Sequence, residues 1–229
     1  MELIHKHMGN LLIRIFFGSL LILGISCKQY DGYYNYENTE SVFDGDAIAY
    51  YASKPGLYDS LLVVLDRLPE YKQIIETGDV TVFSLTNESF RLAITNLNLL
   101  RSSQQKETLS LQTVDSVELD SLMSKYLVGG LITTEEMLFI DGLYVETVKY
   151  PEINTGNMHA QQIKQQSSGF IGGGLPIVYY SYTKESNFVN QWIRTSTQGV
   201  NIRTSNSVLH ILANNHEFGF GEFLTRMNK

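Results

Sequence analysis

The sequence predicts an α+β fold, and three observations carry that expectation. Apolar residues recur at helical spacing through the first half, short β-type runs fill the second, and no internal repeat or alternating strand–helix order appears. At 229 residues, with 43% hydrophobic and 18% charged, the composition suits one substantial core plus a tail, and two full domains would be cramped. The chain is expected to divide into a leader (1–26), a tether (27–43), a globular domain (44–225) and a short tail (226–229).

Residues 1–26 read as a signal peptide. Lys6 and Arg14 accompany an apolar run from Ile15 to Ile25, short of the roughly 20 residues a membrane-crossing helix needs. The run ends in Leu23-Gly24-Ile25-Ser26-Cys27, where small Gly24 and Ser26 flank the bond before the only cysteine. This resembles a bacterial lipobox, with Ile25 where smaller residues are commoner. In that reading Cys27 becomes the acylated N-terminus and a membrane anchor, each buried CH₂ adding about 0.8 kcal/mol. The alternative is a free or buried structural cysteine. If Cys27 is acylated, the folded part has no cysteine, and disulfides, thiolate catalysis and cysteine metal sites fall away together. Removing residues 1–26 takes the formal net charge from −7 to −8, which disfavours nucleic acid as a partner.

Residues 27–43 are polar and tyrosine-rich, with Tyr30, Tyr33, Tyr34 and Tyr36 among Asp31, Glu37 and Glu40, and show neither helical nor strand period. They read as a tether. An aromatic strip that stacks on sugar rings or a partner is the functional alternative.

Beyond Pro55-Gly56, Leu57, Leu61, Val64, Leu65 and Leu68 mark an amphipathic helix with Asp59 and Ser60 in its first turn. Pro69 starts a second short helix to Glu76, ended by Gly78, with Ile74 or Ile75 on its core face. Val80 to Leu85 reads as a buried strand, after which Thr86 and Asn87 cap a helix holding Phe90, Ala93, Ile94 and Leu97 inward. Arg101 to Thr113 is polar and reads as a surface connection. Leu119, Leu122, Met123, Tyr126 and Leu127 mark a further helix, which Gly129-Gly130 is expected to end. Met137 to Ile140 and Leu143 to Val148 flank Asp141-Gly142, a hairpin signal. Later β runs are Leu175 to Thr183, Val200 to Arg203 and Val208 to Leu212.

Chemistry-bearing patterns are few. Gly172-Gly173-Gly174 precedes a β run, so no helix N-terminus stands ready for phosphate, and a hairpin loop is expected. His159, His210 and His216 lack the spacing of a helical metal site; no metal or other cofactor is expected. His210 shares a strand face with Val208 and Leu212 and is expected to be buried and hydrogen-bonded. As a catalytic base it would need a nucleophile and an orienting acid, and the chain has no Gly-x-Ser-x-Gly elbow. Glu135-Glu136 read as helix-start charges.

Three segments together resemble a known family. Thr81-Val82-Phe83-Ser84-Leu85-Thr86-Asn87-Glu88-Ser89-Phe90 is similar to the first signature of fasciclin domains, with Leu85 in place of the usual proline. Asn206-Ser207-Val208-Leu209-His210-Ile211-Leu212 is similar to the second, with Ser207 for glycine and Ala213 for aspartate. Between them Tyr126-Leu127-Val128-Gly129-Gly130-Leu131-Ile132-Thr133 resembles the tyrosine-histidine segment, with Leu127 in the histidine's place. The resemblance, across roughly residues 44 to 225, implies a compact β wedge or sandwich with several helices packed on it. It also implies a non-enzymatic extracellular adhesion module, of a kind found as lipoproteins in Bacteroidota envelopes alongside outer-membrane glycan-uptake proteins. Integrin binding, associated with the tyrosine-histidine segment, does not transfer.

The leading functional expectation is therefore a lipid-anchored, surface-exposed module of the outer membrane that binds extracellular protein or carbohydrate. One alternative is an accessory structural subunit of an outer-membrane glycan-uptake assembly. Another is a hydrolase using His210.

Overall fold

The computed structural model describes residues 41–154, 156–163, 166–167, 170–171 and 176–229. The expected signal peptide, Cys27, the tether as far as residue 40 and Gly172-Gly173-Gly174 lie outside the described residues.

Helix α1 (Ala47–Ala52) starts where Asp46 Oδ1 accepts the Ala49 N–H at 2.7 Å. Helix α2 (Asp59–Arg67) buries Leu61, Val64 and Leu65, as their spacing requires. Helix α3 (Pro69–Thr77) begins on Pro69, whose missing N–H would lack a helical partner there anyway, and stops at Gly78. Ile75 is fully buried on its core face, and Ile74 partly.

Strand β1 (Val80–Ser84) is buried throughout and leads into α4 (Asn87–Ser103). The cap differs from expectation: the Thr86 hydroxyl donates to Asn214 Oδ1 at 2.9 Å, and Asn87 Oδ1 accepts the Ser60 N–H at 2.7 Å. These two side chains tie α4 to distant segments instead of closing its own first turn.

Helix α5 (Ser116–Met123) starts on Asp115, whose Oδ1 accepts from Val117 and Glu118 N–H groups at 2.9 and 3.1 Å. It does not continue to Leu127. After a 3₁₀ turn at Ser124–Tyr126, Leu127–Gly129 becomes strand β2, antiparallel to β1, so Gly129-Gly130 closes a strand. Over so few residues an apolar run fits either period, and pairing with β1 decides between them.

The expected hairpin at Asp141-Gly142 is absent. Met137 to Ile140 forms no strand, and β3 is only Leu143–Tyr144, paired with β4 (Met158–Ile163), a strand the sequence did not reveal. Gly142 has φ +68°, and a Cβ there would run into the His159 ring, so glycine allows close packing here. The carbonyls of Phe139 and Ile140 accept from Gln161 Nε2 at 2.9 and 3.0 Å, which holds the segment as a loop. Glu135-Glu136 lie in a turn, where Glu136 accepts the Thr133 N–H at 2.6 Å; they start no helix.

Helix α6 (Pro151–Asn154) precedes β4, and β5 (Gln166–Ser167) pairs with β6 (Phe170–Ile171) as a separate ribbon. Then follow β7 (Ile177–Tyr182), β8 (Ile193–Arg203), β9 (Ser207–Leu212) and α7 (Phe223–Met227). The expected Val200 to Arg203 run is thus the end of an eleven-residue strand.

Among the described residues seven strands form one sheet in the order β2-β1-β9-β8-β7-β4-β3, with β1 and β9 parallel and the other pairs antiparallel. Strand β8 serves both halves: Ile193 to Ser196 pairs with β7, and Thr197 to Arg203 with β9. Its register shifts on either side of Gly199, and Asn201 has φ +57°, so bulges bend the strand between the two pairings. Phe83 of β1 and Tyr180 of β7 stack with ring centroids 3.5 Å apart and planes at 5°. Three strand spacings would separate them by ~14 Å in a flat sheet, so the sheet folds back and closes a core between its halves. With helices packed on this folded sheet, the architecture is α+β.

Contacts continue on both sides of residues 44 and 225. Phe43 N–H donates to the Arg203 carbonyl at 2.8 Å and Arg203 N–H to the Ser41 carbonyl at 2.9 Å, so residues 41–43 belong to the packed part. At the other end α7 crosses residue 226, and Arg226 and Lys229 both reach Glu118, at 2.9 and 2.5 Å. Among the described residues no helix is long and apolar enough to cross a membrane.

Candidate functional site

The three segments that carry the family resemblance lie side by side as β2, β1 and β9. His210 faces Phe83 across the parallel pair, ring centroids 5.3 Å apart, and is fully buried. Its Nε2 donates to the Ile132 carbonyl at 3.0 Å, while Nδ1 accepts the N–H of the bulge residue Asn201 at 3.5 Å. Asn201 in turn accepts from the Thr134 N–H at 2.9 Å and donates to its hydroxyl at 2.7 Å. His210 therefore braces the bend of β8 against the loop after β2, and burial pushes its pKa down to about 4.

Tyr126 is also fully buried. Its hydroxyl donates to His216 Nε2 at 2.8 Å and accepts the Gly219 N–H at 2.8 Å, pinning the loop between β9 and α7. Burial pushes His216 down to about 3. Tyr126 serves the interior, while His216, 6% exposed, also borders the cleft formed with Glu217 and Phe220. Among the described residues no group of three or more His, Cys, Asp or Glu is arranged to hold a metal ion.

The outer face of the other half of the sheet is different. Tyr144, His159, Ser181 and Arg194 stand opposite one another across β3, β4, β7 and β8. Gln161, Tyr179 and Ser196 form the next row on the same face, because alternate residues of a strand share a side. Their neighbours Ala160, Tyr180 and Thr195 turn into the core. Tyr144 is 53% exposed and Tyr179 37%. The Arg194 guanidinium lies 4.9 Å from the Tyr179 ring centre and 5.9 Å from that of Trp192. His159 packs between Tyr144 and Trp192, centroids 4.9 and 5.0 Å away, and its Nε2 meets the Asp141 carbonyl at 2.8 Å. Burial lowers its pKa, with Arg194 acting in the same direction. Beside this platform Leu138, Phe139 and Ile140 project apolar side chains, Ile140 80% exposed.

A cleft of about 430 Å³ adjoins the platform where β8 extends past the end of β9. Tyr179, Arg194 and Ser196 form one side, and Asn215, Glu217 and Phe220 of the following loop the other. A second depression contains Lys149, Asp120, Glu70 and Tyr150. There Lys149 Nζ lies 2.7 Å from Glu70 and 2.9 Å from Asp120, which also accepts the Tyr150 hydroxyl at 2.6 Å. These charges satisfy one another and clamp α3, α5 and the segment before α6.

Of the residues singled out from sequence, Cys27 lies outside the described residues and His210 is interior. Tyr144, Tyr179, Trp192 and Arg194 escaped notice. Strand alternation in Ile177 to Tyr182 puts Tyr179 and Tyr180 on opposite faces and could have flagged one of them. Nothing local shows that four strands bring the outward residues together.

No protein-family model matches the chain, and no curated protein does. Among solved structures the chain is similar to a FAS1 domain pair from the insect cell adhesion molecule fasciclin I, at 13% identity and a TM-score of 0.42. The similarity covers 70% of this chain and 44% of that one, less than half its length.

Proposed function

We propose that this chain is a lipid-anchored, non-enzymatic binding module of the cell envelope that engages extracellular protein or carbohydrate. One observation carries the reading: a sheet face on which Tyr144, Tyr179 and Arg194 of three strands meet Trp192, the residue before β8. Tyrosine, tryptophan and arginine are the residues that dominate binding energy at recognition surfaces, because each combines a large contact area with a polar tip. The fasciclin-like segments in β1, β2 and β9 support the same role, and the lipobox-like leader supports placement at the outer membrane, facing outward.

Two experiments test it. The double substitution Tyr144→Ala with Trp192→Ala is expected to weaken capture of envelope material by the full chain about ten-fold or more, at a near-normal melting temperature. Undiminished capture by the folded variant would remove the platform from the reading. Cys27→Ser is expected to abolish acyl labelling and release the chain from the membrane fraction, since a hydroxyl cannot form the thioether to diacylglycerol. Acyl labelling that persists in the variant would sink the anchor.

The accessory-subunit reading, in an outer-membrane glycan-uptake assembly, is favoured by Leu138, Phe139 and Ile140. Their adjacent exposed apolar side chains suit a protein partner better than a sugar.

A further inference from the structure

We propose that the cleft beside Tyr179 holds one neutral pyranose ring of a carbohydrate. The assignment rests on the binding-module reading and names a ligand class for it. About 430 Å³ lies within the range of small-molecule pockets and leaves room for a sugar ring together with part of its neighbour.

The lining matches a sugar in three respects. Arg194, Asn215 and Glu217 are planar polar groups with paired donors or acceptors, and adjacent hydroxyls of a pyranose offer a donor and an acceptor at the same spacing. The cleft contains one cationic and one anionic side chain, and each is held by uncharged groups. Arg194 donates to Gln161 Oε1 at 3.0 Å and to Ser181 Oγ at 3.4 Å, while Glu217 Oε2 accepts from Asn96 Nδ2 at 2.7 Å. Both charges are thus oriented without being neutralised, and their balance favours an uncharged ligand with many hydroxyls. Finally, Tyr179 is 37% exposed, and the part of its ring that the Arg194 guanidinium leaves uncovered offers an apolar surface for the C–H face that a pyranose presents between its equatorial hydroxyls.

The test uses the full chain in detergent on an array of neutral and acidic oligosaccharides. Free amino acids serve as competitors, because a zwitterion could also bridge Arg194 and Glu217. Saturation-transfer NMR with the methyl glycoside of the terminal sugar then localises any hit. Neutral glycans are expected to bind, with Glu217→Gln and Tyr179→Ala each lowering affinity about ten-fold, the effect of losing one good polar or stacking contact. Asn215→Ala, at an exposed loop position, supplies the same readout should either of those variants fold poorly. Three results would overturn the proposal: no neutral glycan retained, glycan binding indifferent to all three substitutions, or displacement by amino acids. If envelope capture still depends on Tyr144 and Trp192 while neutral glycans fail to bind, the binding module stands and the cleft assignment falls.

Discussion

Acidification from pH 7 to pH 4 is expected to lower the unfolding free energy by on the order of 6 kcal/mol through His210 and His216 alone. Burial depresses both imidazoles from 6.5, to about 4 for His210 and about 3 for His216. Between those values and 6.5 the unfolded chain binds protons that the folded chain excludes. The stabilisation is therefore complete above about pH 6.5 and is lost as pH falls through that window. At 1.36 kcal/mol per pKa unit, each histidine contributes about 3 kcal/mol of the loss at pH 4. Glu222 and Asp120, whose pKa values are lowered in the fold, add to the loss at the acid end. Domains hold only about 5–15 kcal/mol in total, so unfolding near pH 4 is expected. Urea titrations at pH 7, 5.5 and 4 measure this directly. Equal stability at all three would show that neither ring is buried neutral, and His210→Gln and His216→Gln should each flatten the curve.

Phe90→Ala is expected to destabilise the fold by about 3 to 5 kcal/mol, the usual cost of removing a buried phenyl ring and leaving a cavity. Phe90 is 1% exposed on the inner face of α4 and packs on Phe218 with centroids 4.9 Å apart. Phe218 in turn touches Tyr126 and Phe223, so the ring joins α4 to the loop between β9 and α7. Those neighbours are held by the Tyr126 hydroxyl bonds to His216 and Gly219 and cannot collapse freely into the space. A melting temperature close to that of the unsubstituted chain would show that this junction is not part of the core.

Several elements were legible because their signals are local. Helices α2 and α3 follow from apolar spacing and from Pro69 and Gly78, while β1, α4 and β9 follow from buried runs between turn residues. The burial of His210 was readable for the same reason, since alternation set it among Val208 and Leu212.

Where local signals mislead, a distant partner overrules a local preference. Leu127 to Gly129 continues an apolar stripe yet pairs with β1, and Asp141-Gly142 has a hairpin's composition yet packs under His159. The candidate site was the least legible part. Tyr144, Tyr179, Trp192 and Arg194 span some fifty positions and meet through the registers of β3, β4, β7 and β8. By itself the sequence determined the α+β class, most helices and the interior place of His210, because hydrophobic period and turn chemistry act over a few residues. Only the tertiary structure decided which outward side chains share a face and where a cleft opens, because strand pairing joins residues whose own neighbours say nothing of one another.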